Sequence, residues 1–229
     1  MTDSTATATP SASLAEGTLD EIRLGLAPAI AANAGFDGWG DEARDLAADS
    51  AGVDRDVARL AFPGGAVDMI DAWFAAIDAA MLAHLPPERL EPMKIRAKIT
   101  ALVEARLAET APNREALRRA LAILALPQNA LRGVKLGWRA ADVMWRAAGD
   151  TATDYNHYTK RTILGGVYAA TITVFLDDES ASHADTSAFL GRRIEGIMRF
   201  EKAKSRLVGQ SELRPSFSRF VGRLRYPAV

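Results

Sequence analysis

The chain of 229 residues has no cysteine, which excludes a disulfide scaffold and any thiolate metal site and fits a reducing compartment. No run of eighteen apolar residues occurs. The uncharged span 162–175 would reach only about 21 Å as a helix, short of a bilayer core. The first twenty residues contain no lysine or arginine and carry Asp3 and Glu16, which suits neither a secretory signal nor a mitochondrial presequence. Residues 1–17 read as a disordered tail. The three histidines, His84, His157 and His183, lie far apart, and there is no His-x-x-x-His pair, nucleophile elbow or glycine-rich phosphate loop. A catalytic site is therefore not expected, nor a cofactor. Asp177, Asp178 and Glu179 have the hardness to hold a divalent cation, but such a cluster more often marks a solvated helix junction.

What is present is charge of two signs, unevenly spread. Residues 1–92 hold 5 Lys and Arg against 16 Asp and Glu, a net of −11; residues 93–229 hold 23 against 13, a net of +10. Such polarity suggests two regions with different partners, the alternative being that the opposite charges pack together in one globule.

Almost all of the chain reads as helix. Thr18 and Glu21 form a capping box, followed by Ile22, Leu26, Ala29 and Ile30 at helical spacing, with Asn33 and Gly35 as the stop. A second helix fits 41–50, ended by Gly52, and Asp54 can cap a third that closes before Pro63. Residues 18–63 thus outline a helix-turn-helix type of unit. A long helix follows, with Val67, Ile70, Trp73, Phe74, Ile77 and Met81 on one side, broken at Pro86 and Pro87. Further helices are predicted over 93–108, 113–124, 129–148, 154–175 and 184–207, with Pro112, Pro127 and Gly149-Asp150 at boundaries. Residues 162–175 are rich in β-branched side chains, but helical neighbours and the lack of a partner strand favour helix. The expected organisation is all-α: a tail, a three-helix unit over 18–63, a larger domain over 64–210 and a short helix within 211–229.

The order of short helices, with Gly35-Phe36 after the first and Ala51-Gly52-Val53 between the next two, resembles the N-terminal unit of TetR-type repressors. The segment Asp142-Val143-Met144-Trp145-Arg146-Ala147-Ala148-Gly149-Asp150, followed by Asp154-Tyr155-Asn156-His157-Tyr158-Thr159-Lys160-Arg161, resembles something narrower. It is similar to the signature of the ninth coenzyme Q biosynthesis protein family, TetR-fold lipid-binding accessory factors of ubiquinone synthesis. Asp177 to Ser180, Thr186, Phe189-Leu190 and Arg193-Ile194 continue the likeness.

The resemblance implies a non-catalytic protein that holds an isoprenoid quinone or phospholipid in an apolar cavity and helps the di-iron demethoxyubiquinone hydroxylase reach its substrate. On that basis Trp145, Leu164, Gly165, Val167, Tyr168 and Ile172 are the candidate lipid-binding residues. The partner face maps to Asp142, Met144, His157, Tyr158 and Arg161. At His157 the family pattern has tryptophan, so a smaller polar ring stands where an aromatic anchor is usual. The resemblance also implies a homodimer paired through its last helices. Taken by themselves, Gly165 and Gly166 favour close helix packing over a ligand channel, and Trp145 reads as core on an amphipathic helix.

Near the C-terminus, Phe217, Phe220, Val221 and Leu224 fall at i, i+3, i+4 and i+7, with Arg219, Arg223 and Arg225 largely elsewhere around the wheel. This is a short cationic amphipathic helix, too short to be stable alone in water. Phe217, Arg219, Phe220, Val221, Arg223 and Leu224 suit weak, reversible contact with an anionic membrane; docking on the protein's own core or on a second copy is the alternative. The expected location is the bacterial cytoplasm, peripheral to the inner membrane. A TetR-like regulator answering to a hydrophobic ligand is the competing function. DNA contact depends on Lys and Arg, whereas Asp41, Glu42, Asp45 and Asp49 crowd one short helix and Asp54 and Asp56 open the next, so no nucleic-acid partner is expected.

Overall fold

The computed structural model describes residues 14–151 and 155–209, apart from the side chains of 155, 156, 198 and 200–209. Among them the regular structure is helical. The helices are α1 (Leu19–Asp37), α2 (Asp41–Ser50), α3 (Arg55–Ala61), α4 (Ala66–His84), α5 (Pro87–Leu90), α6 (Ile95–Thr110), α7 (Arg114–Leu124), α8 (Ala130–Ala147), α9 (Tyr155–Asp177) and α10 (Ala184–Gly209). The ambiguous β-branched stretch is thus the body of α9. No helix among the described residues is long and apolar enough to cross a membrane. The proposed membrane-contact residues Phe217, Arg219, Phe220, Val221, Arg223 and Leu224 lie outside the described residues.

The capping box at the start of α1 forms as the sequence predicts: Thr18 Oγ1 accepts from the Glu21 amide, and the Thr18 amide donates to Glu21 Oε2 at 2.7 Å. The expected stop at Asn33 and Gly35 is overturned, because α1 continues to Asp37 and ends at Gly38, whose φ of 80° suits glycine. Asn33 does not compete for the backbone of its own helix; its side-chain amide donates to the Ala43 carbonyl and ties α2 to α1. Pro28 lies on the exposed face of α1, so the carbonyl its missing N–H leaves unpaired, that of the exposed Leu24, has access to water. Within the segment 1–17 expected to be a disordered tail, Leu14–Glu16 form a 3-10 turn, and Leu14 lies close over Gly25, where a Cβ would meet it at 2.5 Å; residues 1–13 lie outside the described residues.

The three-helix unit is not an independent globule. One hydrophobic cluster runs from Ile22 and Leu26 in α1 through Trp73 and Met81 in α4 to Phe175 in α9 and Leu190 in α10. Trp39, between α1 and α2, lies against Trp73 with ring centres 5.4 Å apart and planes tilted by 42°, and it donates its Nε1 proton to the Ala116 carbonyl of α7. The opposite charges of the two halves also meet. Arg132 pairs with Asp68 and Asp71 at 3.0 Å, Arg139 pairs with Asp71, and buried Arg106 pairs with Asp78, joining α8 and α6 to α4. Burial pushes the Asp71 carboxyl up, but hydrogen bonds and charge from Arg139 and Arg132 outweigh it and hold it below the usual carboxylate range. Part of the sequence's charge polarity, Asp68, Asp71 and Asp78 against Arg106, Arg132 and Arg139, is therefore internal pairing.

The acidic run 177–179 is a helix junction. Both oxygens of Asp178 are occupied: Oδ1 accepts from the Ser180 amide and hydroxyl at 2.8 and 2.5 Å, and Oδ2 from the Thr186 amide and hydroxyl at 2.8 and 2.5 Å. Asp177 pairs with Arg118 of α7. The hydroxyls of Ser180 and then Thr186 hold the Asp178 carboxyl far below its ordinary value. A depressed carboxylate stabilises the fold fully above its unfolded value of about 3.9, and that stability is lost as pH falls through the folded value. Urea midpoints should therefore fall as pH drops below about 4 in the parent and fall less steeply in Asp178→Asn. Parallel curves would show that the junction does not couple to folding.

Candidate functional site

α9 is apolar almost all round, and its two sides do different work. Leu164, Tyr168, Thr171, Ile172 and Phe175 are buried toward the core, where Tyr168 Oη accepts from Arg106 Nε at 3.1 Å. Ile163, Gly166, Val167 and Ala170 instead form one wall of an open groove whose other wall is Arg192, Arg193, Gly196 and Ile197 of α10. Its volume is about 600 Å³ and its surface is mainly apolar, within the range of small-molecule sites.

Of the candidate lipid-binding residues, Val167 lines this groove. Leu164, Tyr168 and Ile172 sit on the core side of the same helix, because the i+4 spacing that links them to one another turns them away from Val167. Gly165 faces α8: a Cβ there would lie 4.0 Å from the Gly137 carbonyl, so the two helices approach closely at this pair. Trp145 is half-buried under α9, its Nε1 donating to the Lys160 carbonyl at 3.0 Å and its ring 5.4 Å from the Lys160 ammonium. Gly166 and Gly196 keep the groove open, since a Cβ at either would meet nothing within 4 Å.

The motif over 142–161 builds a charge lattice across the α8–α9 turn. Arg161 donates to Asp142 at 2.5 Å and to Asp150 at 3.0 Å, Lys160 donates to Asp150 at 2.6 Å, and Arg146 pairs with Asp142 at 2.8 Å. Burial pushes the Asp150 carboxyl up, and the hydrogen bonds from Lys160 and Arg161 more than reverse the shift. Gly149, with φ 92°, supplies the left-handed residue that ends α8.

Two residues expected on the partner face are therefore interior. Met144 is fully buried, following Leu136 and Ala140 at four-residue steps along the core face of α8, and Arg161 is 2% exposed. Tyr158 remains at the surface, 62% exposed, with its ring 6.0 Å from Trp138 and 5.2 Å from His157. Asp142 lies between these groups, held by its two arginines. Trp138 is the member that sequence reasoning missed. Leu131, Val134 and Trp138 fall at i, i+3 and i+7 on α8, and the first two are each 69% exposed. That spacing is visible in the sequence, but periodicity alone does not say whether such a face meets the core or the solvent.

The groove's α10 wall was missed as well. Ile163, Gly166, Val167 and Ala170 have the i, i+3, i+4 and i+7 spacing of one face, yet a helix with apolar residues on every side gives no signal for which face meets a ligand.

The chain matches the COQ9 family over residues 130–201, the span that holds both the α8–α9 lattice and the groove. It is 44% identical over 96 residues to "Ubiquinone biosynthesis protein COQ9, mitochondrial" of Rattus norvegicus, an alignment covering 42% of this chain and 31% of that protein. To the Drosophila melanogaster protein of the same name it is 25% identical over 197 residues, covering 84% of this chain and 60% of the relative. The chain thus spans about a third of the rat protein's length in aligned residues. The crystal structure of a TetR transcriptional regulator from Nitrosomonas europaea ATCC 19718 superposes with a TM-score of 0.61 at 22% identity, covering 76% of this chain and 96% of that one. At that identity the likeness concerns the fold alone. Residues 130–201 are thus similar to the COQ9 family, and the chain carries that segment on an all-α fold like that of the TetR regulator.

Proposed function

We propose that this protein is a non-catalytic, lipid-binding accessory factor of ubiquinone biosynthesis. The observation that carries the reading is the groove between α9 and α10, apolar over most of its surface and held open by Gly166 and Gly196 inside the family-matched segment. An isoprenoid chain laid along Ile163, Val167 and Ile197 would leave water without displacing any protein side chain. Mass spectrometry of lipids extracted from natively purified protein tests this directly: stoichiometric isoprenoid quinone or another lipid is expected, and lipid-free protein would remove the basis of the reading.

The surface formed by Tyr158, His157 and Trp138, extended by Leu131 and Val134, is the proposed docking face for the demethoxyubiquinone hydroxylase. An exposed tyrosine grouped with two half-buried rings is the kind of anchor that carries binding energy at interfaces. The Asp142, Asp150 and Arg161 lattice beneath it sets the angle between the helices that present them. Tyr158→Ala combined with Trp138→Ala should weaken hydroxylase association by at least tenfold, taking about 2 kcal/mol as the scale of a hot spot, while lipid content and melting temperature stay close to the parent. Unchanged association in a pull-down titration would move the docking face elsewhere.

The basic segment containing Phe217, Phe220 and Leu224 is the proposed membrane contact. Phe217→Ser with Phe220→Ser should abolish flotation with anionic liposomes, and retained flotation would end that assignment. The TetR-like neighbour makes a DNA-binding regulator the second reading. Against it, Asp54 and Asp56 open α3 and Asp41, Glu42 and Asp45 line α2, so the unit meets a phosphate backbone with carboxylates.

A further inference from the structure

We infer that the exposed surface of α2 and α3 is a docking site for the basic C-terminal segment, residues 199–229, of a second copy of this chain. Residues 14–63 hold 10 Asp and Glu against 4 Lys and Arg, a net of −6, and residues 199–229 hold 2 against 8, a net of +6. The pairing of Asp68, Asp71 and Asp78 with arginines of α6 and α8 leaves both excesses untouched. Among the described residues, the carboxylates of 14–63 that form ion pairs do so with Arg44, Arg55 and Arg59 of the same unit. The outer surface of the unit is apolar as well as acidic. Leu46 is 44% exposed on α2, flanked by Glu42 and Asp49 on the same face, and Leu60 is 67% exposed on α3, one turn after Asp56. The Arg55–Asp49 pair at 2.5 Å joins the exposed sides of the two helices. An arginine-rich segment that also carries Phe217, Phe220 and Leu224 matches both the charge and the apolar positions.

The fold carries this segment away from the acidic unit of its own chain. α8 and α9 run antiparallel, since Arg161 meets Asp142 and Gly165 meets Gly137, so α9 ends beside the start of α8. Arg132 ties that start to Asp68, at the beginning of α4 and close after α3. α10 begins at the same end, where Arg114 holds the Asp178 carbonyl and the His183 ring. From there it runs 26 residues, about 39 Å, back along α9. The eight residues from Gly209 to Phe217 reach at most about 29 Å when extended, which does not retrace α10. A second copy is therefore the occupant, and reciprocal exchange of segments closes the contact into a two-fold pair. The contact needs neither lipid nor membrane, so it stands apart from the membrane assignment of the same segment.

The test is sedimentation velocity of the full chain over a range of concentrations, without lipid or detergent. The parent is expected to self-associate at low salt and to lose about tenfold in affinity at high salt, because contacts between exposed charges are screened. Glu42→Lys with Asp56→Lys should weaken the association by about tenfold or more, and so should Arg219→Glu with Arg223→Glu. An equimolar mixture of the two variants should restore it, since each supplies the charge that the other has reversed. Pairing through the last helices does not predict that restoration, and a variant that had merely lost its fold would not give it. A parent that stays monomeric at every concentration, association that neither variant changes, or a mixture no stronger than its components overturns the inference. Flotation of a monomeric parent with anionic liposomes would leave the segment to the membrane alone, so the two assignments fail separately.

Discussion

Arg106→Met should lower the melting temperature by roughly 6–20 °C, the expected consequence of losing about 3–5 kcal/mol in a chain of this size. Arg106 is 2% exposed and contacts Asp78, while its Nε donates to Tyr168 Oη at 3.1 Å and its guanidinium lies 5.3 Å from the centre of the Tyr168 ring. Removing it leaves a buried carboxylate with only Arg139 nearby, whose Nε is 3.8 Å from Asp78 Oδ2. An uncompensated buried charge is costly, whereas replacing both partners by apolar groups is often tolerated. Arg106→Met with Asp78→Leu should therefore recover at least half of the loss. If the double variant is as unstable as the sum of the singles, the pair does not act as a unit and the penalty has another origin. The same measurement bears on the groove, because Tyr168 fixes the rotation of α9. With its partner gone, the helix has less reason to hold Val167 and Gly166 toward α10.

The helices were legible because their signals are local. The Thr18 and Glu21 box, the Asp54 cap and Gly52 are each decided within a few residues: α1 begins after Thr18, α2 ends before Gly52 and α3 begins after Asp54. What was not legible depended on which side of a helix meets what. Asn33 looks like a terminator in sequence, but its amide is committed to the Ala43 carbonyl ten residues away. Met144 and Trp145 are neighbours separated by about 100° of helix, and periodicity could not say that Met144 takes the core while Trp145 lies under Lys160. The charge polarity pointed to separate partners because nothing in a sequence pairs Asp71 with Arg132 and Arg139; only the packing of α4 against α8 does. For the same reason the motif over 142–161 pointed to a family resemblance before it located a site. Its charged members Asp150 and Arg161 are buried in the lattice, and the surface they support is carried by Trp138 and Tyr158.

Gly166→Leu combined with Gly196→Leu should raise stability while removing lipid, two effects that separate a groove from a packing defect. Both glycines are inside helices, where replacing glycine by a better helix former contributes about 0.5–1 kcal/mol each. A Cβ at either position meets nothing within 4 Å, so the new side chains project into the groove without disturbing the core. The melting temperature should rise by roughly 2–8 °C, and co-purifying lipid, read by mass spectrometry against protein concentration, should fall at least tenfold. Gly165→Leu is the informative contrast, because its Cβ would point at the Gly137 carbonyl 4.0 Å away and a longer side chain there must push α8 from α9. That variant should lose stability instead, on the scale of about 1–3 kcal/mol for overpacking. A stable, lipid-loaded Gly166 and Gly196 double variant would mean that these residues were not keeping space for a ligand. A helix interior that tolerates two glycines without need of them would then require a different explanation, since each forgoes stability that leucine would supply.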